Sequence, residues 1–72
     1  MNFAASIYVD KNGNVYGASK TDQASTRADA RTVGGRPVVY AGKWFGSQMD
    51  YRPYLDAVAD AQREAQMMES AS

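Results

Sequence analysis

The chain reads as a small α+β domain: a three- to four-stranded antiparallel sheet with one C-terminal helix packed on one face. Three observations predict it. Asn12-Gly13 stands between two β-prone runs, residues 36–45 gather β-branched and aromatic side chains, and from Pro53 the apolar residues return at helical spacing. Seventy-two residues hold one such domain, 1–72, and no second core.

The first element is a hairpin over residues 4–19. Asn-Gly predicts a two-residue type I′ turn, whose central residues both need positive φ. That turn sets Lys11 opposite Asn14 and Val9 opposite Tyr16. Ala5, Ile7, Val9, Tyr16 and Ala18 then share the core face, and Tyr8, Val15 and Gly17 the other. Residues 20–35 admit two readings. Thr21 or Asp22 would cap a helix running to Val33, or a loop leads into a strand over about 29–33. Thr32, Val33 and the Gly34-Gly35 pair favour the strand, closed by a second tight turn.

A longer strand follows over 37–45, with Pro37 at its start, where a missing N–H is tolerated. Both of its faces are apolar: Val38, Tyr40 and Trp44 on one, Val39, Ala41 and Phe45 on the other. Such a strand is covered on both sides or keeps one side for a partner. Gly42 is the natural place for a bulge, which would exchange the faces beyond it. The helix spans about 51–68. Tyr51, Tyr54, Val58, Ala61, Ala65 and Met68 fall on one side of it, flanked by Leu55 and Ala57. Residues 69–72 are expected to fray.

The hydrophobic fraction, 44%, is misleading, because 12 residues are alanine and Leu, Ile, Val and Phe together number only ten. Tyr16, Trp44, Phe45, Tyr51 and Tyr54 are therefore expected to supply much of the buried area. A core this thin also makes a homodimer an expectation.

Cysteine and histidine are absent, which excludes disulfide staples, the usual zinc sites, thiol nucleophiles and imidazole acid–base chemistry. Asp10-x-Asn12-Gly13-Asn14 lacks the sixth-position Gly and closing Glu of a calcium loop. Gly42-x-x-x-Gly46-Ser47 lacks the lysine of a phosphate loop. The expectation is no enzyme, no cofactor and no metal. Met1 to Ser6 carries no basic or long apolar leader, and the longest apolar run, Val38 to Ala41, is far short of a span. A soluble, cytoplasmic protein without membrane contact is expected.

Zero net charge hides an asymmetry. Residues 1–49 carry six bases against three acids, and residues 50–72 two bases against five acids. Tyr8, Arg31, Arg36, Tyr40, Lys43 and Trp44 interleave aromatics and bases over the predicted sheet, and Trp, Tyr and Arg dominate protein–protein hot spots. These six are the candidate partner-binding residues. Asp56, Asp60 and Glu64 form an acidic ridge on the helix, a solvated side or a secondary contact for a basic partner. The preferred reading is a non-enzymatic protein-binding module, an adaptor or inhibitor docking on a larger protein or nucleoprotein. The alternative is single-stranded nucleic-acid binding by the basic aromatic sheet, against which stand the missing net charge and the missing motif. In size and kind, though in no motif, the chain is similar to phage-borne inhibitors of host defence such as anti-CRISPR proteins.

Overall fold

The computed structural model describes residues 4–23 and 31–70. Within them β1 (Ala4–Val9), β2 (Val15–Gly17), β3 (Asp22–Gln23), β4 (Arg31–Val33) and β5 (Arg36–Phe45) pair antiparallel in the order β2-β1-β5-β4-β3. The helix α1 (Arg52–Ser70) packs on one face of this sheet. The α+β class is as expected: four antiparallel strands extended by a two-residue fifth. The helical reading of residues 21–33 gives way to strand at both ends, where Asp22 pairs with Thr32 and Gln23 with Arg31. The expected strand 29–33 is seen from Arg31; its first two residues lie outside the described ones, as do residues 71 and 72 of the expected frayed tail. The rest of that tail, Glu69 and Ser70, continues α1.

The two hairpins turn by different means. Gly34 and Gly35 have φ of 59° and 84°, the two positive values of a type I′ turn, and Val33 faces Arg36 across it. In the first hairpin only Gly13 is left-handed, with φ 85°. The Asp10 carbonyl accepts the Gly13 N–H at 3.1 Å and the Asp10 N–H donates to the Asn14 carbonyl at 3.1 Å. This is a three-residue loop, a type I turn followed by a glycine bulge, and not the expected two-residue turn. The Asp10 carboxylate selects it by accepting the N–H groups of Asn12 and Asn14, both at 2.9 Å. The register therefore moves by one residue, and Tyr16 comes to stand opposite Tyr8 instead of Val9.

Beyond the middle of β5 a second irregularity acts on the faces. Ile7 pairs with Gly42 but Tyr8 with Tyr40, so Ala41 is the extra residue of a bulge and Gly42 takes φ 111°. Val39 and Trp44, five residues apart, thereby reach the same side. Ile7, Val9, Ala41 and Ala61 form the buried cluster, and Ala5, Val39, Trp44, Met49, Tyr54 and Val58 pack against it. Ala61 and Ala65 are both buried, so at these two positions α1 meets the sheet with only a methyl group of its own. The Trp44 ring meets Tyr54 edge-on at 5.5 Å and 87°.

Of the aromatics expected in the core, Trp44 and Tyr54 are there, whereas Tyr51, Phe45 and Tyr16 are not. Tyr51 is 62% exposed because the helix begins after it, at Arg52. Phe45 pairs opposite Ala4 on the side away from α1, and the register shift carries Tyr16 to that same side. Met68, placed on the core side by helical spacing, is also exposed. The helix is instead fastened to the first hairpin near its end. Gln62 Nε2 and Gln66 Nε2 donate to the Lys11 carbonyl at 3.3 and 3.1 Å, and Lys11 Nζ stands 3.5 Å from Glu69. Among the described residues no helix is long and apolar enough to cross a membrane.

Candidate functional site

Strand alternation and register decide what the sheet offers on the side away from α1. Arg36, Val38 and Tyr40 of β5 lie on that side, Arg36 and Tyr40 exposed and Val38 buried. Their neighbours are Val33 and Arg31 of β4 and Tyr8 of β1, with Tyr16 of β2 beyond. Past the bulge, Lys43 returns to this side opposite Ser6. Tyr8, Arg31, Arg36, Tyr40 and Lys43 thus share one open face. Trp44 does not join them, because the bulge at Ala41 and Gly42 turns it onto the helix side.

Tyr8 and Tyr40 are direct cross-strand partners, with ring centroids 5.4 Å apart and planes inclined by 52°. The Arg31 guanidinium carbon stands 5.9 Å from the Tyr8 centroid, within cation–π range. Tyr8 and Arg31 are half-buried, while Tyr40 is 54% exposed and is the ring that stands out from the face. Val38, opposite Arg31, is 5% exposed and lies outside the helix-side cluster.

Asp10, at the rim of this face, is a residue that sequence reasoning left unassigned. It is 5% exposed and accepts four hydrogen bonds: the Asn12 and Asn14 N–H groups at 2.9 Å each, Asn14 Nδ2 at 3.1 Å, and the Tyr16 hydroxyl at 3.1 Å. Burial opposes its ionisation, but the hydrogen bonds outweigh burial and hold the carboxyl below its ordinary value. The bond to Asp10 in turn raises Tyr16 above the usual phenol range. The Asp-x-Asn-Gly-Asn spacing was the available signal. Its chemistry is turn closure, with both carboxylate oxygens engaged by donors of the chain itself.

The acidic ridge lies on the other side of the molecule. Asp56, Asp60 and Glu64 are exposed on α1 away from the Ala61–Ala65 line, and Arg63 Nη2 reaches Asp60 at 3.1 Å in solvent. Among the described residues Arg31, Arg36 and Lys43 thus lie on the open sheet face, and Asp56, Asp60 and Glu64 on the outside of the helix.

No protein-family model matches this chain, and neither does any curated protein or solved structure.

Proposed function

We propose that the chain is a non-enzymatic docking module, a compact adaptor or inhibitor that binds a larger protein or nucleoprotein through its open sheet face. The observation that carries this reading is Tyr40, 54% exposed on the central strand β5 and paired with Tyr8, on the face that also carries Arg31, Arg36 and Lys43. A central aromatic with arginines around it is the composition of an interface hot spot, where few residues supply most of the affinity. The acidic ridge supports no hydrolase reading, since it runs along a solvent-facing helix side and not in a cleft. The same basic and aromatic side chains also suit a single nucleic-acid strand, which is the second reading.

The expected homodimer meets an electrostatic obstacle on both broad faces. A two-fold contact through the sheet sets Arg31, Arg36 and Lys43 against their own copies, and one through α1 sets the acidic ridge against itself. A homodimer is accordingly proposed at a sheet edge.

A photo-crosslinking phenylalanine analogue placed at Tyr40, and separately at Asp60, tests the docking reading in an extract of the native host. The expected outcome is one stoichiometric product from position 40 and none from position 60. The reverse pattern, or no product from position 40, overturns the reading. Tyr40→Ala should weaken the captured complex by about 2 kcal/mol or more, with the fold kept because the side chain is exposed.

A further inference from the structure

We infer that the surface taken by the open face is an acidic polypeptide surface, with carboxylates disposed around an apolar recess for the Tyr40 ring; the inference rests on the docking reading above. Three cations, Arg31, Arg36 and Lys43, stand on this face. The described strands bring no carboxylate to that side, and the oxygens of Asp10 at its rim already accept four hydrogen bonds. The compensating acids, Asp56, Asp60 and Glu64, are on the far side of the helix layer. The described residues of this face are therefore net positive, and a negative partner surface complements them.

The geometry of the rings separates a polypeptide from a nucleic-acid strand. Single-strand platforms stack two or three successive bases on aromatic rings with open faces. Here the Tyr8 ring already has the Arg31 guanidinium near it and Tyr40 inclined at its side. The Tyr16 hydroxyl is tied to Asp10. Phe45 is exposed too, but it lies five residues along β5 from Tyr40, roughly 15 Å at strand rise. One protruding ring among cations suits a single apolar recess with acidic surroundings. Arginine also meets a carboxylate with two parallel donors, a pairing that needs no stacking.

The test uses the full chain, labelled for two-dimensional NMR, with poly-L-glutamate and the oligonucleotide dT20 as probes. At 50 mM salt poly-L-glutamate should move the resonances of Tyr8, Arg31, Arg36, Tyr40 and Lys43, and its affinity should fall roughly tenfold by 200 mM salt, the scale set by releasing a few counterions. The double substitution Arg36→Gln and Lys43→Gln should abolish the response while the circular dichroism stays unchanged. Tighter binding of dT20 to the same residues at equal salt would reassign the face to nucleic acid. Poly-L-glutamate leaving those resonances unmoved, or moving only others, would overturn the inference outright. Self-association of the chain alone that disappears in Asp56→Asn, Asp60→Asn and Glu64→Gln would assign the face to a second copy. A position-40 crosslink that survives Arg36→Gln and Lys43→Gln would keep the docking reading and remove the acidic partner.

Discussion

The Trp44 indole lies over Gly42, two residues before it in the same strand. A Cβ atom at position 42 would come within 2.9 Å of Trp44 Nε1, whose N–H donates to the Ala41 carbonyl at 2.9 Å. The bulge that brings Trp44 to the helix side thus depends on a residue with no side chain, held at φ 111°.

Gly42→Ala meets both an unfavourable backbone conformation and a ring that would have to move. It should destabilise the fold by about 2–4 kcal/mol, the sum of positive-φ strain and local overpacking. Urea denaturation followed by the fluorescence of the single tryptophan measures this directly. A loss below about 0.5 kcal/mol, the range of neutral surface changes, would show that the bulge does not need glycine.

Asp10 and Tyr16 predict the limits of a pH-stability profile. Because the folded-state carboxyl of Asp10 lies below its ordinary 3.8, its contribution is complete above that pH and is lost as pH falls through the lower folded value. Tyr16 is raised above 10.0, so its contribution is complete below pH 10.0 and is lost as pH rises through the folded value. Asp10→Asn should flatten the acid limb relative to the parent, and Tyr16→Phe the alkaline limb. Parallel denaturation midpoints for parent and Asp10→Asn below pH 4 would refute the assignment. At neutral pH Asp10→Ala should cost about 2–3 kcal/mol, since donors to a charged acceptor lose their partner.

The attachment of α1 to the first hairpin separates a backbone acceptor from a side-chain charge. Gln62→Ala with Gln66→Ala removes both amide donors to the Lys11 carbonyl and should cost about 1–2 kcal/mol. Lys11→Ala keeps that carbonyl and loses only the part-exposed pairing with Glu69, so it should cost under about 1 kcal/mol. Thermal unfolding of the two variants decides the matter, and a larger loss in Lys11→Ala would reverse the account.

Along the helix, size should matter on one side alone. Ala65→Leu forces three extra carbon atoms into a contact with no exposed surface and should cost about 1–3 kcal/mol or prevent folding. Leu55→Ala, at a position 57% exposed, should stay within about 0.5 kcal/mol. Equal losses at the two positions in chemical denaturation would mean that α1 sits on the sheet by a different side.

The sequence carries the fold class, the places of both turns, the alanine side of the helix and the division of charge. Each of these is local: Asn12-Gly13 and Gly34-Gly35 punctuate strands, and Ala57, Ala61 and Ala65 repeat every fourth residue. It also marked Gly42 as a position for a bulge, and five of its six candidate contact residues share one face. Which way particular side chains face is set instead by how the strands pair. In a strand that choice has period two, so a single residue of register reverses it. The Asp10 carboxylate, by choosing a three-residue loop over a two-residue one, moved Tyr16 out of the core. The extra residue at Ala41 moved Trp44 into it. Neither event changes an element's place in the chain, yet together they set which aromatics hold the fold together and which lie on the open face.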